Sequence, residues 1–197
     1  QRCYYQLRQI RRVRKSLSAA SKLLLVLASV HSRLDYCNSV LHSLPWSRLQ
    51  LLQSVLNSAA RLIRGLGRFD HITPVLIDLH WLPFPQRISY KICLLMFKCL
   101  EGLAPAYLSD LCVGTAAVLG RSGLRSAARG DLVVPGHRTE WGSRSFAVAG
   151  PKCWNRLPVE LRDLSIGPET FARHLKTHLF RAVFFLINTI RIFINIF

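Results

Sequence analysis

The sequence predicts a mainly α protein: a helical bundle followed by a small α+β segment with a short β-hairpin. Three observations carry this. Apolar residues recur at three- and four-residue spacing through most of the first 113 positions, prolines and glycines fall at the starts and stops of those runs, and beyond position 130 the pattern turns to short β-prone stretches. With 197 residues and 50% apolar composition, the chain is long enough to bury a core.

The first run places Leu7, Ile10, Val13 and Leu17 on one helical stripe, leaving Arg8, Arg11, Arg12, Arg14 and Lys15 on the other faces. Ser18 is an N-cap for a second helix from Ala19 to Leu41, ending before Pro45 because the residue ahead of a proline disfavours the α region. Its first half is apolar nearly all round, as in the middle of a bundle. Ser47 then caps Arg48 to Arg64, with Leu49, Leu52, Val55, Leu56, Ala59, Leu62 and Ile63 as the apolar face and Gly65 and Gly67 as the stop. Thr73-Pro74 opens a short helix to Leu79, Pro85 opens another over Gln86 to Leu100, and Pro105 to Val113 adds a turn or two.

These elements make residues 1–113 one basic helical domain. Gly114 to Gly130, rich in Gly, Ser, Ala and Arg, reads as a linker. Asp131 to Pro135 and Ser145 to Ala149 are the two strands of the expected hairpin, with helical pieces over Pro151 to Leu157, Pro158 to Asp163 and Pro168 to Phe180 completing a segment 131–180. Residues 181–197 form an apolar, β-prone tail with few charges. Gln1 at the start and Met96 as the single methionine read as a fragment of a longer frame.

Charge narrows the function. Lys plus Arg number 27 against 10 acids, a formal net charge of +17 and a pI near 10.7, which points to polyanionic partners. The block 1–22 holds seven of those cations and no acid; the first carboxylate is Asp35 and the next Asp70. A solvated helix face and a phosphate-contacting helix are both open readings of such a block. Arg61 and Arg64 on the polar face of the Arg48 to Arg64 helix, and arginines at 121, 125, 129, 138 and 144, extend the basic surface. Trp81, Trp141 and Trp154 could stack on bases, but core filling is the commoner role for such residues.

Catalytic patterns are missing. The acids are scattered singly, without the paired carboxylates that hold two divalent metals, and there is no G-x-S-x-G elbow, no H-E-x-x-H and no phosphate-binding glycine loop. His174 and His178 share a helix face at i and i+4, yet no Cys or acid near them in sequence completes a zinc set. Six irregularly spaced cysteines without a C-x-x-C pair fit a reduced intracellular compartment, nucleus or cytoplasm. Leu23 to Val30 is too short for a membrane span, which takes about 20 residues, and Asn188, Arg191 and Asn195 interrupt the apolar tail. No membrane partner is expected.

Several strings then occur in a telling order: Ser32-Arg33-Leu34-Asp35-Tyr36-Cys37-Asn38-Ser39, the stretch Gln53 to Leu62, Asp70-His71-Ile72-Thr73-Pro74-Val75-Leu76, Leu79-His80-Trp81-Leu82-Pro83, Gly102 to Leu108, Phe146 to Pro151 and Leu175-Lys176-Thr177-His178-Leu179-Phe180. Together they resemble the C-terminal region, after the reverse transcriptase palm, of a jockey-superfamily, chicken-repeat-like LINE (non-LTR) retrotransposon polyprotein. The resemblance covers about residues 3–180, and Arg33, Asp35, Tyr36, Asn38, Asn57 and Arg61 match its motif positions without an assigned chemistry. It implies that residues 1–113 are thumb-like or post-thumb, within a polyprotein that performs target-primed reverse transcription. It also implies that the aspartates and magnesium of the parent RNA-directed DNA polymerase lie upstream, so no catalytic residue, metal ligand or cofactor is carried over. Chains of that kind finish near the Leu-Lys-Thr-His-Leu-Phe string, which makes Arg181 to Phe197 read as translated flanking sequence.

The expectation is therefore a nucleic-acid-binding segment, inactive as an isolated chain, that supports template RNA or primer. Its partners are RNA or an RNA/DNA hybrid and the remainder of the polyprotein, and its contacts are Arg8, Arg11, Arg12, Arg14, Lys15, Arg61 and Arg64. The alternative is a structural or protein-interaction remnant of a decayed retroelement, whose basic residues only solubilise it.

Overall fold

Ser18 is the N-cap that its place ahead of an apolar run requires: its Oγ accepts from the Ser21 backbone N–H at 3.1 Å. In the computed structural model, which describes residues 2–194 in backbone and the side chains of 2–185, the chain divides into two units, Gln1–Asn38 with Leu44–Arg87 and Ser39–Ser43 with Ile88–Phe197. The division falls inside a continuous helix, Phe84–Leu100, and not at the composition change near residue 113.

The first unit is built from α1 (Arg2–Val13), α2 (Ala19–Val26), α3 (Ser32–Asp35), α4 (Trp46–Arg64), α5 (Thr73–Asp78) and the start of α6 (Phe84–Leu100). Helices α1 and α2 pack on each other and on α4, and α4 packs on α5. Leu7, Ile10, Val26, Val30, Leu56, Ala59, Leu62 and Leu76 are buried there, so the apolar face read from α4 is its core face. Pro45 rather than Ser47 is the N-cap of α4, and Gly65 ends it in the left-handed region (φ 71°).

The single long helix expected over 19–41 is broken. A π-helical turn over Leu27–His31 joins α2 to α3, and Cys37, at φ 52°, turns the chain without a glycine or proline to announce it. Nor is α2 enclosed by a bundle: Leu24, Leu25 and Leu27 are exposed and only Val26 and Val30 face the core.

The second unit contains the rest of α6, α7 (Ala106–Ser109), α8 (Arg125–Ala128), α9 (Glu140–Arg144), α10 (Phe146–Asn155) and α11 (Pro168–Ile194). Trp154 and Phe97 flank Phe171, with ring centroids 5.9 and 4.3 Å from it, and Ile92, Met96 and Leu175 fill in around them. Phe184 is buried against Phe180 at 4.6 Å, so the stretch beyond residue 180, expected to be β-prone, continues α11 and supplies a core side chain.

The fold is mainly helical, and the α+β segment is not seen: no strand, and hence no β-hairpin, is present among the described residues. The extended piece after Gly130 is paired elsewhere. Leu132 and Gly114 form an isolated antiparallel bridge, with Thr115 N–H donating to Asp131 O at 2.9 Å and Val133 N–H to Val113 O at 2.8 Å. The other edge is met by a side chain, since Asn155 accepts from Leu132 N–H and donates to Leu132 O, each at 2.8 Å. With Leu132 satisfied on both sides, no second strand is needed, and Phe146 to Ala149 open α10. The stretch 114–130 likewise carries structure, with Thr115 buried and α8 within it.

Arg162 locks this arrangement. Its guanidinium donates to the carbonyls of Leu157 (2.7 Å), Asn155 (2.8 Å) and Arg129 (3.2 Å) and pairs with the Asp131 carboxylate, which also holds Arg129 at 2.9 Å. A charge as buried as this one is tolerable only with such a full set of partners.

Gly150 gives α10 its close approach to α6, because a Cβ there would lie well inside contact distance of the fully buried Met96 Sδ, with Phe146 Cε2 at 3.4 Å. Gly150→Ala is expected to destabilise the chain by about 1–3 kcal/mol through overpacking, despite the roughly 1 kcal/mol that alanine gains over glycine inside a helix. Urea unfolding measures it; a neutral or stabilising result would mean that Met96 repacks freely.

Candidate nucleic-acid interface

Helix α1 has the two faces its sequence requires. Leu7 and Ile10 are buried, while Arg8, Arg11 and Arg12 are exposed, and Arg14 and Lys15 follow, also exposed, on a 3₁₀ turn over Arg14–Ser16. Val13, expected on the apolar stripe, is exposed, so the buried stripe is narrower than the periodicity implied. Arg11 and Arg12 occupy the last turn, where the negative end of the helix dipole favours cations. No carboxylate precedes Asp35, so the face is of one sign.

Two residues that charge counting passes over belong to this face. Tyr4 and Tyr5 are exposed, and Tyr5, Arg8, Arg12 and Lys15 follow one another at helical spacing. An exposed ring beside guanidinium groups is what stacking on an unpaired base requires, and the signal was in the sequence as an aromatic at i−3 from Arg8.

Arg61 and Arg64 are held by the chain. Arg61 donates to the Asp70 carbonyl at 3.1 Å, and Arg64 forms an ion pair with Asp78. Arg61 ties the loop after α4 back to it, helped by the Asp70 carboxylate accepting from Gly67 N–H at 2.7 Å, and Arg64 ties the end of α5 to the end of α4. Their partners lie 9 and 14 residues away, beyond what a helix-face reading can see.

Four of the six matching motif residues, Asp35, Asn38, Asn57 and Arg61, also have structural work. Asp35 accepts from Arg87 Nε at 2.9 Å, and Arg87 Nη2 lies 3.3 Å from His31 Nδ1. His31 in turn meets Trp81 with ring centroids 4.0 Å apart. Asn38 is buried and donates to Asp35, while Gln53 accepts from Phe84 N–H at 2.7 Å, meeting an open donor at the first residue of α6, and donates to Asn57 at 2.8 Å. Arg33 and Tyr36 are exposed, Tyr36 at 80%.

Elsewhere, Trp81 and Trp154 fill cores, whereas Trp141 is exposed with the Arg144 guanidinium 5.1 Å from its ring. Arg121, Arg125, Arg129 and Arg138 are exposed as well. His174 and His178 line an open groove with Glu160 and Arg181. Among the described residues no three His, Cys, Asp or Glu side chains are grouped to hold a metal ion, and no helix is long and apolar enough to cross a membrane.

His31 has a lowered pKa, about 4, because burial penalises the imidazolium and Arg87 repels it, the Asp35 carboxylate only partly offsetting this. The unfolded chain takes up this proton near pH 6.5 and the folded chain near 4, so His31 favours folding above about pH 6.5 and that share is lost as pH falls toward 4. Urea unfolding from pH 7.5 to 4.5 is expected to show stability falling by about 2 kcal/mol more in the parent chain than in His31→Phe. Parallel pH curves would show that His31 charges without cost.

No protein-family model matches this chain, and no curated protein or solved structure matches it either.

Proposed function

We propose that this chain is a nucleic-acid-binding C-terminal segment of a non-LTR retrotransposon reverse transcriptase, supporting template RNA or primer during target-primed reverse transcription. The observation that carries this reading is the exposed face of α1 and its following turn, five cations without a carboxylate between them, flanked by exposed Tyr4 and Tyr5. Such a surface gives sequence-independent affinity through counterion release, with base stacking as an addition. The partners are RNA or an RNA/DNA hybrid and the remainder of the polyprotein.

The binding residues are Arg8, Arg11, Arg12, Arg14 and Lys15, while Arg61 and Arg64 act indirectly by shaping the unit that carries α1. Replacing the five by Gln keeps good helix formers and removes only charge. RNA binding by the parent chain is expected at low salt, with the plot of log affinity against log salt shallower in the five-fold variant by about 2–4 units and similarly so for unrelated RNA sequences. Arg61→Gln with Arg64→Gln should change the slope by less than about one unit and lower stability by at most about 1 kcal/mol each, because the Arg64 pair is largely exposed. An unchanged slope in the five-fold variant, or no RNA binding by the parent chain, overturns the assignment.

The isolated chain is not a polymerase in this reading. Asp35, Asp78, Asp131 and Glu140 are each paired with arginine, and Asp70 and Asp163 accept backbone N–H groups, uses that compete with metal ligation. Given a primed RNA template, deoxynucleotides and magnesium or manganese, residues 1–197 should incorporate nothing above background, and reproducible incorporation would refute this.

A further inference from the structure

The second unit holds a cluster that neither the fold nor the basic face uses. Cys153 on α10 and Cys93 on α6 are both buried, each three residues along its helix from the close approach of Gly150 to Met96. His42 completes the group, its Nε2 lying 3.3 Å from Cys153 Sγ. On the far side of that ring, Ser43 Oγ is 2.9 Å from Nδ1. A hydroxyl donating there places the imidazole proton on Nε2, the nitrogen that faces the sulfur. Ser43 reaches this position from a left-handed conformation, φ 61°, which a serine rarely adopts without a compensating contact.

The two sulfurs differ. Cys153 is pushed toward the thiolate because Cys93 S–H donates to it, with His42 and Arg156 close by, more than offsetting its burial. Cys93, as the donor and the more buried of the two, is pushed the other way. A second sulfur pair in the same unit provides a contrast. Cys112 lies 3.8 Å from Met96 Sδ, 3.4 Å from the Leu108 carbonyl and against Cys99, without a cation, and burial pushes its thiol up to about 12.

We propose that Cys153 and Cys93 are a hydroperoxide-reactive pair, with Cys153 the attacking sulfur, His42 its hydrogen-bonding partner and Cys93 the resolving sulfur. In the first step Cys153 Sγ attacks one oxygen of hydrogen peroxide, the O–O bond breaks, and the leaving hydroxide takes a proton and departs as water, leaving a sulfenic acid on Cys153. In the second, Cys93 Sγ attacks Cys153 Sγ and the S–O bond breaks. The hydroxide leaves as water with the Cys93 proton, and the Cys93–Cys153 disulfide forms. Two thiols are oxidised by two electrons, and one peroxide is reduced to two waters. His42 is partly buried and Cys153 keeps 6% of its surface, so an oxidant as small as hydrogen peroxide is the one this group would admit. The product would staple α6 to α10 across 60 positions of sequence (153 − 93).

The test uses the full chain exposed to limiting hydrogen peroxide, then blocked with an alkylating agent, digested and mapped by mass spectrometry. Cys93–Cys153 is expected to be the first disulfide, formed before the exposed Cys37 is modified and while Cys99 and Cys112 stay reduced. In Cys93→Ser, and in Cys93→Ala should the serine disturb the core, dimedone should label Cys153. His42→Gln should slow the reaction at least about tenfold, the worth of one hydrogen bond to a charged sulfur. Prior modification of Cys37 with Cys153 still reduced, a Cys99–Cys112 disulfide in its place, or an unchanged rate in His42→Gln would each overturn the proposal.

Discussion

Ten carboxylates stand against 27 lysines and arginines, and that imbalance governs how each unit is held together and what its surface looks like. A guanidinium can enter the protein only with a carboxylate or several carbonyls to meet it, so the acids are drawn to the arginines that must be buried. Asp35 meets Arg87 in the first unit and Asp131 meets Arg162 in the second, and in both cases the arginine is the more buried partner. Asp78, the last residue of α5, pairs with the more exposed Arg64, and Asp70 accepts a backbone N–H in the loop after α4. Six of the ten carboxylates are engaged with arginines or backbone N–H groups, and none of the ten falls within the first 34 residues, so the positive surface of α1 is set by the sequence itself.

Helix α4 was legible in the sequence because amphipathic periodicity and a terminal glycine agree, and local agreement of that kind survives whatever the rest of the chain does. The segment around Phe146 was not. A run of four apolar residues, Phe146 to Ala149, is ambiguous between strand and helix, and the sequence pattern starts the next helix only at Pro151. The structure keeps the helix through Gly150 and Pro151, since the former is needed for contact with Met96 and the latter is fully buried. What decided the matter was the pairing of Leu132 with Gly114 and Asn155, which removes the partner a strand would have used. The break at Cys37 was illegible for the same kind of reason: the Asp35, Arg87 and Asn38 contacts that favour it span up to 52 residues.

The interface divides in the same way. Charge is additive and local in sequence, so the basic face of α1 could be read directly, whereas the capture of Arg61 and Arg64 depends on where a loop returns. Tyr4 and Tyr5 were within reach of a helical projection but are uncharged, and a count of cations passes over them. The Cys153, Cys93 and His42 group had no sequence signal, because its members are 42, 93 and 153 in a chain without regular cysteine spacing.

A face made of five arginines and lysines with flanking tyrosines sets the kind of recognition available to it. Five phosphate contacts correspond to a salt slope of about 3.5 on a single strand and 4.5 on a duplex, so a fourfold rise in salt lowers affinity on the order of a hundredfold or more. Stacking adds affinity without distinguishing bases, since every base has a π-face. Direct base readout would call for bidentate Arg, Asn or Gln side chains held rigidly by neighbours, and the arginines held that way here, Arg87 and Arg162, are buried and paired inside the units. A surface of this composition favours holding a strand over reading its sequence, which is the property the proposed support of template or primer needs.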